Sequence, residues 1–186
     1  MKKVKYSFVD CMIDIETLST KNNAAICSIS AVKFNPFTSE LGDKKQWLIK
    51  WDSDDIKQKY NICDKTLAWW NQQDEKVKFH NLYNNENRVV ISQALTELNE
   101  FLQGIWRYWS QGINFDFVIL ENAYHIENLH NKIRWKFYQL FDSRTISKLM
   151  KNTTIKKENN HDSLYDAIYQ AQIVSEVINK LNIKSL

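Results

Sequence analysis

Glycine and proline are nearly missing from this chain, three and one among 186 residues, which excludes collagen-like and linker-like architectures. Long apolar runs are missing as well. None approaches the ~18 consecutive residues that a membrane span needs, so no membrane partner is expected. Cysteine is confined to Cys11, Cys27 and Cys63, an odd number without metal-ligand spacing, which reads as reduced, buried thiols. No signal peptide is expected either. Met1 to Tyr6 is basic, but Asp10, Asp14 and Glu16 interrupt what would have to be its apolar core. The expected location is therefore cytoplasmic. Charge of one sign is also lacking: 25 Lys and Arg against 22 Asp and Glu leave +3, short of a basic nucleic-acid footprint.

What is present is core material. Hydrophobic residues make up 44% and charged residues 25%, a balance that supports burial and argues against disorder. The length suits one domain, residues 1–186. Seven tryptophans serve a core as readily as a base-stacking surface.

Tyr6 to Ile15 reads as a strand. Ala24 to Phe34 is a second, apolar on both parities and so expected to be central. Asn35-Pro36 and Gly42-Asp43 punctuate a loop, and Lys45 to Trp51 alternates as a third strand, in an antiparallel hairpin. Helical signals follow. Asp64 is an expected N-cap for Lys65 to Gln72, Asp74 for a further short helix, and Ser92 precedes an apolar stripe ending at Gly104. Ile105 to Ser110 returns to strand character; Phe115 to Leu129, Ser143 to Met150 and Asp162 to Leu181 are helical. Lys151 to Asn160 is polar and unpatterned, the expectation being a mobile loop. This order predicts an α/β fold, a mixed sheet with helices packed on it.

Asp14 and Glu16 stand two apart on the first strand, so both side chains leave the same face. Two unpaired carboxylates on an apolar strand repel each other and are costly to desolvate. A hard divalent cation would remove that cost; a strand end in solvent would avoid it. Asp116 opens a middle helix after Gly112, where a plain helix cap is the alternative account. His161 and Asp166 open the last helix, where a surface histidine and a solvated acid are the alternative.

Taken in order, Asp-x-Glu, the Asp after a glycine and His-x-x-x-x-Asp resemble the DEDDh 3′→5′ exonucleases, which have an RNase H-like fold. Among them the chain is similar to the phage and prophage exonuclease A (DexA) branch and to the amino-terminal region of some exonuclease VIII proteins. The resembling segments include M-I-D-I-E-T-L, T-L-A-W-W, W-S-Q-G-I-N-F-D-F-V-I-L-E-N-A-Y, D-S-R-T-I and H-D-S-L-Y-D-A-I-Y-Q-A, spread from Met12 to Leu181. Departures fall at Ser110-Gln111, Phe117 and Tyr165, where relatives often carry Gly-Asn, a polar residue and an acid.

The resemblance implies an RNase H-like mixed sheet and a metal-dependent exonuclease. Asp14, Glu16, Asp116 and Asp166 would hold two Mg²⁺ or Mn²⁺ ions, Asp14 bridging them, and His161 would act as general base, its pKa raised by the acids around it. The expected partner is nucleic acid with a free 3′ end, single-stranded DNA in the first instance, with nucleoside 5′-monophosphates as product; RNA is the alternative, and a homodimer is admitted. A bacterial host or phage-infected cell is the implied setting. Thr17 and Leu18 resemble positions that touch the terminal nucleotide. Trp69 or Trp70 could stack on a base, and Arg144 could reach a phosphate. A catalytically idle nucleic-acid-binding module, and an interaction protein with merely solvated acids, are the competing classes.

Overall fold

The computed structural model describes residues 8–150, 153–157 and 161–186. Five strands form one sheet: β1 (Asp10–Thr17), β2 (Ile26–Asn35), β3 (Glu40–Leu48), β4 (Arg107–Ser110) and β5 (Leu140–Asp142), in the order β3-β2-β1-β4-β5. β1, β2 and β3 pair antiparallel, whereas β4 and β5 run parallel to β1. This is the mixed, RNase H-like arrangement that the sequence predicts.

The two faces of the sheet follow the pleat of β1. Cys11, Ile13 and Ile15 enter the larger core, together with buried residues of α4 (Ile91–Phe101) and α5 (Asp116–Ile126). Met12, Val32, Phe34 and Trp109 meet Ala167, Ala171, Val174 and Ile178 of α7 (Ser163–Lys180) on the opposite face. Burying a valine or isoleucine is worth ~1.5–3 kcal/mol. Val174 and Ile178, both fully buried, therefore secure a helix whose first turns carry charge.

Shorter helices complete the chain: α1 (Asp54–Lys59), α2 (Asp64–Trp70), α3 (Glu75–Lys78), which runs into a π turn at Phe79–Tyr83, and α6 (Ser143–Ser147). Asp74 caps α3, accepting bonds from Lys76 and Val77. The cap of α2 is Cys63, without a side-chain bond, in place of the expected Asp64.

Two further expectations change. The hairpin is tighter than the residue types suggested, because the Asn35 carboxamide accepts from Phe37 N and Thr38 N and closes the turn; Gly42 and Asp43 consequently lie inside β3. β5 and α1 were not foreseen, being three and six residues long with too little periodicity to register. Residues 6, 7, 151, 152 and 158–160, parts of the expected first strand and of the expected mobile loop, lie outside the described residues.

Candidate active site

The sheet order reverses between β1 and β4, the switch point beside which open α/β sheets place ligands at the carboxyl ends of their strands. Asp14 and Glu16 lie at that end of β1, on the face that α7 covers. A bulge between Glu16 and Thr17 shifts the pairing with β2 there, and bulges of this kind re-aim side chains.

Asp116 arrives from the turn after β4. Gly112 takes φ +132°, a region other residues avoid, and its carbonyl accepts from Phe115 N and Asp116 N. The carboxylate of Asp116 is not a helix cap. It reaches across to β1 and accepts from Ile15 N at 3.4 Å.

Asp162 caps α7 through Leu164 N and Tyr165 N, which places Asp166 in the first turn, 6% exposed, facing β1. One turn on, Gln170 donates to Asp14 Oδ1 at 2.7 Å. His161, just ahead of the cap, adopts φ +64°, and its N–H donates to Asp166 Oδ2 at 3.2 Å. Ligand atoms of Glu16, His161 and Asp166 lie within 4.8 Å of one another.

This crowding is electrostatically expensive. Burial raises the Asp14 carboxyl well above the ordinary range, with Asp116, Glu16 and Asp166 adding to the effect. Glu16 is raised by burial and then by Asp166 and Asp116; Asp116 is pushed up to about 7, mainly by burial. Lys157 Nζ lies 2.8 Å from Asp166 Oδ1, and the Arg144 guanidinium partly offsets the rise at Asp116. Four acids from three elements with an adjoining imidazole are a hard, oxygen-rich donor set, and a divalent cation fits it. For His161 the expected direction is reversed: burial lowers its pKa below the ordinary value, Lys157 adds to the lowering, and Asp166 only partly opposes them.

Beside the acids runs a cleft of about 410 Å³, lined by Glu16, Thr17, Cys63, Thr66, Trp69 and Phe115 among others. Trp69 is 38% exposed and stands edge-on to the His161 ring, centroids 4.7 Å apart. Trp70 is fully buried, donating its indole N–H to Thr17 O. Leu18 is likewise buried and lines no part of the cleft. The guanidinium of Arg144 donates to Gln111 O and forms no ion pair among the described residues. Phe115 and Thr66 escaped sequence reasoning, and Cys63, expected to be buried, is only half-buried and lines the cleft; Phe115 was within reach of that reasoning, since it immediately precedes Asp116.

Residues 9–178 match the family model described as a 3′-5′ exoribonuclease Rv2179c-like domain. The exodeoxyribonuclease of Enterobacteria phage T4 is 25% identical over 122 residues, covering 60% of this chain and 53% of that protein. The chain thus spans about half the length of that relative. Two solved structures share the fold. The nuclease domain of 3′hExo, a DEDDh family member bound to rAMP, aligns over 95% of each chain with a TM-score of 0.62 and 14% identity. S. pombe Pop2p, in its Mg²⁺- and Mn²⁺-bound form, aligns over 96% of this chain and 86% of its own, with a TM-score of 0.64 and 12% identity. No helix among the described residues is long and apolar enough to cross a membrane. The family match spans the site from β1 to α7, and the chain accordingly belongs to the 3′-5′ exoribonuclease Rv2179c-like domain family.

Proposed function

We propose that the chain, acting as one domain, hydrolyses the terminal phosphodiester bond of single-stranded nucleic acid at a free 3′ end and releases nucleoside 5′-monophosphates. The observation that carries this reading is the convergence of Asp14, Glu16, Asp116, Asp166 and His161 at one end of the sheet, beside an aromatic-lined cleft. Asp14, Glu16, Asp116 and Asp166 would hold Mg²⁺ or Mn²⁺, two ions as expected. Such ions, when bound, stabilise the attacking and leaving oxygens of an in-line displacement.

The protein's own residues do the rest. Burial lowers the His161 pKa and so favours the neutral imidazole, whose free nitrogen can take a proton from the attacking water as the new P–O bond forms. The P–O3′ bond breaks, and the 3′ oxygen of the shortened strand leaves with a proton from solvent. Trp69 and Phe115 line the cleft and offer it aromatic surface on which a base would stack, and Thr17 lines it beside Glu16. Arg144, exposed beside Gly112, would meet the strand's phosphates. The T4 relative's name supports DNA as substrate; the family's description favours RNA as the second reading. The cytoplasm of a bacterial host or phage-infected cell is the setting we assign.

The test uses matched 5′-labelled DNA and RNA 12-mers with Mg²⁺, Mn²⁺ or excess chelator. Stepwise shortening from the 3′ end with mononucleotide release is expected only with metal. Cleavage within the strand, or full activity in chelator, would overturn the reading.

A further inference from the structure

Asn81 has no place in the acid cluster, yet it is completely buried and bonded to the residue that opens the last helix. It stands in the π turn Phe79–Tyr83. Its Nδ2 donates to His161 O at 2.8 Å and to Val77 O at 3.0 Å, and its Oδ1 accepts from Ser28 Oγ at 3.2 Å. Two donors used on two carbonyls fix which way the amide points.

The hydroxyls behind it are then ordered by counting protons. Ser28 gives its single proton to Asn81, so Ser163 must donate to Ser28, and Ser30 to Ser163, both across 2.7 Å. The chain of bonds runs Ser30 to Ser163 to Ser28 to Asn81 to the His161 carbonyl. It joins the interior strand β2, the first residue of α7 and the π turn. Arg88 braces that turn from the other side, donating to the carbonyls of Asn81, His80, Asn84 and Ile49.

What the network holds is an unfavourable backbone. A non-glycine residue at φ +64° persists only where its surroundings over-determine it. For His161 the surroundings are Asp166 Oδ2 on its N–H and Asn81 on its carbonyl, one on each side of the strained residue. Both peptide planes are pinned, and with them the direction in which the imidazole leaves the chain.

We infer that Asn81 is a positioning residue for the imidazole of His161, locking it toward Glu16 and Asp166 through the His161 carbonyl. This rests on the reading of His161 as general base. Asn81 contributes no ligand to the acids and does not touch substrate. Its loss removes the orientation of the base and leaves the metal and nucleotide sites in place. No apolar residue or carboxylate can replace it, because the position demands one acceptor and two donors together.

The test is a double-mutant cycle of Asn81→Ala and His161→Ala, with single-turnover rates on a 12-mer and with oligonucleotide affinity measured in Ca²⁺. Asn81→Ala is expected to lower the rate roughly 10- to 100-fold, the worth of a partner that orients a functional group. Affinity for Mn²⁺ and for the oligonucleotide should stay within about twofold, and the double variant should be no slower than His161→Ala alone. Asn81→Asp keeps the shape and the acceptor for Ser28 but removes both donors, and it takes the alanine variant's place if that fails to fold. A wild-type rate for Asn81→Ala beside an impaired His161→Ala overturns the inference. So does a loss that multiplies with that of His161→Ala, or failure of both Asn81 variants to fold. A near-normal rate for His161→Ala itself would instead overturn the general-base reading, a separate outcome.

Discussion

Lys157 Nζ lies 2.8 Å from Asp166 Oδ1, inside a cluster of buried acids. An ammonium there occupies a carboxylate that the proposed metal site also needs, so cation and metal compete for one oxygen. Lys157→Ala is expected to melt at a lower temperature without metal and to bind Mn²⁺ about two- to fivefold more tightly, since a partly exposed pair is worth up to ~1 kcal/mol. Calorimetric titration with Mn²⁺ reads this directly; weaker binding by the variant would show that Lys157 supports the metal site.

The raised carboxyls give the metal-free protein an unusual response to pH. Asp14, Glu16 and Asp116 have folded pKa values above their unfolded ones. Their stabilising contribution is complete below the unfolded range, near 4, and is lost as pH rises through the folded values, about 7 for Asp116. His161, with a lowered pKa, acts in the opposite sense only below ~6.5. Melting in chelator should therefore fall by several degrees between pH 6.5 and 8.5, at about 2–4 °C per kcal/mol. Saturating Mn²⁺ should remove most of that fall. Equal melting temperatures at both pH values in chelator would mean the acids are not crowded.

His161→Ala and Asp166→Ala should separate proton transfer from metal holding. The first is expected to lower kcat by roughly 10²- to 10⁴-fold with affinity intact, the usual worth of a positioned base. It should also abolish the low-pH limb of the rate profile, which in the wild type should lie below ~6.5 because burial disfavours the imidazolium. Asp166→Ala should weaken Mn²⁺ binding as well. Rate profiles from pH 5 to 9 with Mn²⁺ titrations distinguish them, and a persisting acid limb in His161→Ala would assign that titration to another group.

The paired tryptophans carry opposite predictions. Trp69→Ala should raise KM by about tenfold, within the ~1–3 kcal/mol that stacking a base contributes, and leave the melting temperature nearly unchanged. Trp70→Ala should cost ~3–5 kcal/mol of stability, because it empties a fully buried indole site and orphans Thr17 O. Thermal melts of both variants, with steady-state kinetics on Trp69→Ala, test the pair; equal destabilisation would contradict the assignment.

Legibility in the sequence tracked the range of the interaction. Asp14 and Glu16 could be read because a two-residue spacing on an apolar strand is a local pattern, and α7 because its apolar stripe repeats over 18 residues. The neighbours Trp69 and Trp70 could be separated in direction, but nothing local says which one meets the core. Asn81 was invisible: its partners Ser28 and His161 are 53 and 80 residues away, and a lone asparagine between His80 and Leu82 carries no pattern. The pKa of His161 was misjudged for a related reason. Its acidic neighbours are written in the motif, whereas the desolvation that outweighs them is a property of the folded volume.

The helix α7 supplies Asp166 directly, steadies Asp14 through Gln170, and seats Ser163 against β2, all from one rigid rod fastened by an apolar stripe on its inner face. On the proposed reading, hydrolytic competence would therefore be all-or-none. A chain in which this rod has not docked keeps Asp14, Glu16 and Asp116 but lacks Asp166 beside them, and such copies would be inert toward nucleic acid. The fraction of active molecules then equals the fraction with α7 in place, and any lesion that loosens the stripe behind Val174 and Ile178 lowers the amount of working enzyme and leaves each surviving molecule as fast as before.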